Sequence, residues 1–229
     1  MISAMSSIIK FNKVSKIYGK RPNDFVAIDD ISLEVEAGES LAVVGKSGSG
    51  KSTLVHLMAL LDRPTKGEIL INGKDSTKLA SKKIDLLRNK NFGFVFQQFF
   101  LNPQDSVMSN VILPLMIGGI SRSERNKRGI AALEDVDLLE KSHEKAVNLS
   151  GGQKQRLCMA RALINKPTVI FADEPTGNLD SVNGKMVEDL LFRLNKEKKI
   201  TLIIVTHDED LAKKCQRKIN IQDGKLVKK

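Results

Sequence analysis

The eight residues Gly45-Lys46-Ser47-Gly48-Ser49-Gly50-Lys51-Ser52 constrain this chain more than any other stretch. They fit the pattern G-x-x-x-x-G-K-[ST]. The apolar run Leu41–Val44 precedes them and a helix-like run, Lys51–Leu61, follows. Glycines at these spacings let consecutive backbone N–H groups turn toward phosphate oxygens, and the helix N-terminus adds a partial positive charge. Lys51 then reaches the β- and γ-phosphates, and the Ser52 hydroxyl ligates Mg²⁺. A plain glycine-rich turn would need neither the strand before nor the helix after.

The rest of the chain supplies a sheet for that loop. Strand-like runs are short and rich in β-branched residues: 8–14, 31–36, 41–45, 68–73, 92–96, 168–173, 201–207 and 219–224. Ile31–Glu36 alternates, as in a half-exposed antiparallel strand. Leu41–Val44, Val169–Ala172 and Leu202–Val205 are continuously apolar, as in a parallel sheet buried on both faces. Helical patterns fall over 51–61, 83–90, 122–136, 151–165 and 184–196. The alternation predicts an α/β fold with a mostly parallel sheet. The segment from about 98 to 166 has no convincing strand and reads as a helical insertion. The expected organisation is a single domain of 229 residues, with a core and antiparallel β subdomain from 1–97 and 167–229 and a helical subdomain over 98–166.

A phosphate loop of this type needs a carboxylate on a neighbouring strand. Asp173 ends the run Thr168–Asp173, where it can hold Mg²⁺ directly or through water. Glu174 follows, points elsewhere, and is placed to accept a proton from an attacking water. The alternative is an acidic turn after a strand. A second glycine-containing loop, Leu149-Ser150-Gly151-Gly152-Gln153, precedes another helix. Ser150 and Gln153 have capping-box spacing, so a helix can begin at Ser150 with its first N–H groups facing an anion. With one phosphate site already complete, a second such device becomes useful if it reaches a γ-phosphate held by another subunit.

Together these stretches resemble the ATP-binding cassette (ABC) ATPases, and the resemblance covers essentially the whole chain. It implies that Gly45–Ser52, with Thr53, binds ATP. Tyr18, the single tyrosine, is similar to the aromatic residue that stacks on adenine. Gln97 resembles the glutamine that touches Mg²⁺ and the attacking water. The run 178–180 resembles the loop that crosses the dimer interface, and His207 the histidine that contacts the γ-phosphate. The resemblance implies Ser52, Gln97 and Asp173 around Mg²⁺, and Glu174, Gln97 and His207 as the catalytic set. In that family two cassettes pack head to tail, each ATP lying between one phosphate loop and the other subunit's Ser150–Gln153 loop. The implied partners are a second copy and a transmembrane permease, the chain being cytoplasmic and held at the inner membrane face. Within the family the motifs look most like the lipoprotein-release, macrolide-export and peptide-resistance branch, with a lipoprotein, peptide or drug-like amphiphile as cargo. Lys154, Cys158 and the run Leu101–Val107 depart from the branch's usual pattern. His56 and His143 match nothing.

Composition narrows the classes. No apolar run reaches the roughly 18 residues needed to span a bilayer, and the N-terminus lacks a signal-peptide pattern. Cys158 and Cys215 form no metal spacing. The net charge of +10 gathers at 13–21, 122–128 and 225–229. Aromatic residues are only 4%, scarce for stacking on nucleic-acid bases. A solvated lysine-rich surface is therefore expected, with no specific nucleic-acid partner. A chromosome-maintenance ATPase would carry a long coiled coil or zinc module, and a translation-associated one two cassettes in tandem. A regulatory GTPase would have N-K-x-D, which is absent.

Overall fold

The computed structural model describes residues 7–20 and 22–227; Arg21, Lys228 and Lys229, members of two basic clusters, lie outside the described residues. Ten strands and seven α-helices are named here. The strands are β1 Ser7–Tyr18, β2 Phe25–Glu36, β3 Ser40–Val44, β4 Lys66–Ile71, β5 Lys74–Asp75, β6 Phe92–Phe96, β7 Val169–Asp173, β8 Thr201–Val205, β9 Arg217–Gln222 and β10 Lys225–Val227. The helices are α1 Lys51–Met58, α2 Ser81–Asn91, α3 Val107–Ile117, α4 Arg122–Glu134, α5 Gly151–Leu163, α6 Ser181–Lys198 and α7 Glu209–Lys214. The chain divides into two compact units, one built from the chain up to Asp85 and from Lys199 onward, the other from Leu86–Lys198. Among the described residues no helix is long and apolar enough to cross a membrane.

The first unit holds two kinds of sheet. β3 pairs in parallel with β8 on one side and β9 on the other, and β10 adds antiparallel to β9. β3 and β8 are buried at every residue, as their unbroken apolar runs require. β1, β2, β4 and β5 form a separate antiparallel sheet in the order β2-β1-β4-β5. There Ile31, Leu33 and Val35 are buried while Ser32, Glu34 and Glu36 are exposed, the expected alternation. Phe11, Ile28, Leu41, Leu54, Leu57 and Ile69 anchor this unit's core at under 2% exposure. The first helix ends three residues before the expected Leu61. Leu60 adopts φ 55°, and the Leu61 N–H returns to the His56 carbonyl at 2.8 Å, closing the helix.

The second unit pairs β6 with β7 in parallel and packs α5 against β6, with Leu115, Leu133, Leu138 and Leu157 fully buried. Its stretch 98–166 holds α3, α4 and α5 and, beyond an isolated Ser106–Lys145 bridge, no strand. Besides the six-residue α7, α3 is the helix that periodicity does not announce. Its sequence, VMSNVILPLMI, is apolar nearly throughout and carries Pro114 inside. Ser106 caps the helix, accepting from the Ser109 N–H at 3.0 Å, and the face carrying Val107, Val111 and Leu115 is fully buried. The run Leu101–Val107, where the sequence departs from the branch's pattern, is held by local hydrogen bonds. Asn102 and buried Asn110 exchange hydrogen bonds at 2.8 and 3.0 Å, and Asn102 Nδ2 donates to Asp105 at 2.6 Å. Those side chains tie the loop to the start of α3.

Candidate functional site

In the first unit the candidate phosphate loop leaves the C-terminal end of β3, the edge where ligands bind in parallel sheets. Gly50 adopts φ 105°, and a Cβ there would stand 2.6 Å from the Ala27 carbonyl oxygen. At Gly45 a Cβ would run into the Ile221 carbonyl and Ser49 Oγ. Both positions therefore exclude side chains. Lys51 Nζ donates to the carbonyls of Gly45 and Lys46, each at 2.8 Å, so the ammonium is held across the loop mouth. Beside the loop, residues 45–49 and 220–223 line a cleft of about 440 Å³. Ser52 and Thr53 lie in the first turn of α1, and His207 lies two residues past the end of β8, the strand paired with β3. The Asp208 carboxylate caps α7 by accepting the Asp210 and Leu211 N–H groups at 2.8 and 3.2 Å, and its own N–H donates to Thr206 Oγ1 at 3.0 Å. The backbone on both sides of His207 is thus tied down.

Tyr18 closes β1 and is 39% exposed. Its hydroxyl donates to Asp62 at 2.7 Å, and Lys16 Nζ sits 4.8 Å from its ring centroid while pairing with Asp62 at 2.6 Å. Burial, then the bond to Asp62, raises the Tyr18 pKa. Burial alone would raise Asp62, but the bonds from Lys16, Tyr18 and the Arg63 N–H bring it below the usual carboxylate value. The Lys16–Asp62 support of the Tyr18 ring spans more than forty residues and leaves no sign in the sequence. If the ring stacks on adenine, Tyr18→Ala should weaken ATP binding by roughly 1–3 kcal/mol. Tyr18→Phe, which keeps the ring, should cost less. Equal affinities for Tyr18→Ala and wild type in a nucleotide titration would remove Tyr18 from the site.

The second unit gathers the candidate carboxylates, Gln97 and the second loop. The β6–β7 register pairs Phe96 with Asp173, so Gln97 and Glu174 each stand one residue beyond that pair, at the same end. Glu174 adopts φ 45°, an uncommon conformation for a residue with a side chain, of the kind that clusters at functional sites. Gln97 Nε2 donates to Asn178 Oδ1 at 3.3 Å, and Asn178 Nδ2 donates back to the Gln97 carbonyl at 3.0 Å. The sequence offered no sign of this pairing across 81 residues. The capping box is present as expected: the Gln153 N–H donates to Ser150 Oγ at 3.3 Å and the Ser150 N–H to Gln153 Oε1 at 2.9 Å. Gly151 is exposed at the helix start. Gly152 is buried, the space its Cβ would take being filled by Asn183, which also donates to Asp180 at 2.6 Å.

α5 also holds the segment after Gln97. Arg161 donates to the Phe99 and Phe100 carbonyls at 3.0 and 2.7 Å, and Cys158 Sγ lies 3.0 Å from the Phe99 carbonyl. Burial pushes the Cys158 thiol up to about 11, so it is an inert packing residue. Among the described residues no cluster of three or more His, Cys, Asp or Glu side chains forms a metal cage. Within the second unit Gln97 and Asp173 offer oxygen donors with a single carboxylate. That set suits Mg²⁺, which keeps waters and substrate phosphates in its shell.

An α/β fold with a phosphate loop at the C-terminal edge of a buried parallel strand defines a P-loop nucleotide-binding protein. The sequence model of the ABC transporter family matches residues 28–177. Over 220 residues the chain is 42% identical to the lipoprotein-releasing system ATP-binding protein LolD of Syntrophus aciditrophicus, covering 96% of this chain and 99% of that protein. It is 44% identical over 220 residues to an uncharacterized ABC transporter ATP-binding protein, MJ1508, of Methanocaldococcus jannaschii, covering 96% and 98%. Among solved structures, the dimeric post-hydrolysis state of the ATP-binding cassette MJ0796 bound to ADP and Pi superposes with a TM-score of 0.87 at 38% identity, covering 96% and 97%. The chain belongs to the ABC transporter family, as one of its ATP-hydrolysing nucleotide-binding subunits. Among these relatives LolD represents the lipoprotein-release branch that the motifs resemble.

Proposed function

We propose that the chain powers a membrane transporter by closing on ATP, head to tail with a second copy, and opening after hydrolysis. Lys51 and the loop N–H groups from Gly45 to Ser52 hold the phosphates, and Tyr18 stacks on adenine. Glu174 takes a proton from the attacking water as that oxygen bonds to the γ-phosphorus and the bond to ADP breaks. Gln97 orients the water, and His207 hydrogen-bonds the γ-phosphate. Ser52, Asp173 and Gln97 are the side chains that would hold Mg²⁺. When bound, that ion neutralises charge on the β- and γ-phosphate oxygens. Ser150, Gly151, Gly152 and Gln153 serve the nucleotide of the second copy. The observation that supports this reading is a pair of glycine-containing loops at helix starts: in one Lys51 is braced on the loop carbonyls, in the other Ser150 and Gln153 close a capping box.

The chain works as a single domain in which 98–166 is a helical subdomain facing a permease. α3 supports that surface, with Leu113, Met116 and Ile117 exposed and Ile117 at 70%. An exposed apolar patch of this kind marks an interaction site. The permease holds the chain at the inner membrane face, and the cargo is a lipoprotein, peptide or drug-like amphiphile, as the relatives' names suggest. Purification of the tagged chain from solubilised membranes tests this reading. A single multispanning membrane protein should co-elute, and Ile117→Lys should release it without lowering ATP turnover of the isolated chain. Recovery of the chain free of any membrane protein would contradict the transporter reading.

A further inference from the structure

Gln155, the fifth residue of α5, is 1% exposed and has no role in the mechanism above. Its Nε2 donates to the Pro175 carbonyl at 2.8 Å and lies 3.5 Å from the Phe96 carbonyl. Only the nitrogen end of an amide can meet two carbonyl oxygens, so the side-chain orientation is set by its partners. Pro175 directly follows Glu174, and Phe96 directly precedes Gln97. One buried side chain therefore reaches the backbone beside both residues that face the attacking water.

Glu174 needs such support. Its backbone sits at φ 45°, and its carbonyl accepts the Gly177 N–H at 3.1 Å at the start of a tight turn. A strained conformation persists only where the surroundings over-determine it. A bond anchoring the next carbonyl is one such restraint. Packing alone would favour an apolar residue at 155. Gln155 Oε1 is buried with no partner among the described residues, and a buried unpaired acceptor is costly.

We propose that Gln155 is a positioning residue for ATP hydrolysis. Through Pro175 it holds Glu174 in the backbone conformation that aims its carboxylate at the water, and through Phe96 it holds the start of the loop carrying Gln97. This rests on the assignment of Glu174 as the general base. Gln155 touches no nucleotide and acts on the geometry of the chemical step alone.

The test is Gln155→Met, which keeps the length and removes the amide, compared with wild type and Glu174→Gln in steady-state ATPase assays. ATP affinity by titration and ATP-dependent dimerisation by size exclusion are read on the same proteins. kcat should fall by about tenfold or more, while KM and ATP affinity stay within about twofold and the ATP-bound dimer still forms. Wild-type kcat in Gln155→Met overturns the proposal. Loss of the dimer also overturns it, because the side chain would then be acting on the Ser150 loop. If Gln155→Met unfolds, Gln155→Leu, which also removes the amide and suits the buried site, is read in the same way. The controls separate the two assignments. A fully active Glu174→Gln removes the base itself, whereas an inactive Glu174→Gln beside an active Gln155→Met removes only the positioning role.

Discussion

Glu174→Gln should lower ATP turnover by about 10²–10⁴-fold, the range for loss of a positioned general base. The substitution keeps the side-chain shape and a hydrogen-bonding end but removes the carboxylate that takes the proton. Lys51, Ser52 and Asp173 are untouched, so Mg·ATP should bind as before. Removing a negative charge near the γ-phosphate also relieves repulsion in the closed pair. The variant should therefore accumulate with ATP bound, where wild type turns it over. The control is Lys51→Ala, which loses the ammonium now braced on the Gly45 and Lys46 carbonyls and should lose nucleotide affinity outright. Near-wild-type turnover by Glu174→Gln in a phosphate-release assay would place the base elsewhere.

Ser150→Arg should abolish hydrolysis while leaving ATP binding by a single subunit near its wild-type value. Ser150 Oγ accepts the Gln153 N–H and its own N–H donates to Gln153 Oε1. Arginine removes the cap oxygen, which costs about 1 kcal/mol at a helix start. It also places bulk and charge where the second copy's γ-phosphate would dock. The phosphate loop and Tyr18 belong to the other compact unit, so the variant's ATP titration should match wild type. Wild-type turnover by Ser150→Arg would rule out a site shared between two subunits.

What was legible in the sequence follows from how far apart the cooperating residues lie. The phosphate loop, the strand-ending Asp173-Glu174 pair and the Ser150–Gln153 capping box are contiguous motifs, each bounded by a strand or helix that also shows in the residue pattern. The continuous burial of β3 and β8 and the alternation of β2 were readable for the same reason. α3 was not, because a nearly uniform apolar run containing a proline shows no polar face in the residue pattern; the Ser106 cap and the burial of Val107, Val111 and Leu115 hold it. β5 and β10, of two and three residues, are too short to leave a pattern. The contacts around the candidate site were the least visible. Gln97 with Asn178, Tyr18 with Asp62, and Gln155 with Pro175 join residues 20 to 81 positions apart, and only the folded chain brings them together. The φ of Glu174 was equally invisible, since glutamate has no preference for that conformation.

The claim that everything else depends on is that ATP is gripped between two copies of this chain. Size exclusion with light scattering of Glu174→Gln measures it directly, because slow turnover keeps the closed state populated. Without nucleotide the protein should run as a monomer of 25.3 kDa. With ATP it should run at twice that mass, and Ser150→Arg added to the same chain should return it to the monomer with ATP still bound. A Glu174→Gln protein that binds ATP stoichiometrically and stays monomeric at micromolar concentration would contradict the two-subunit site.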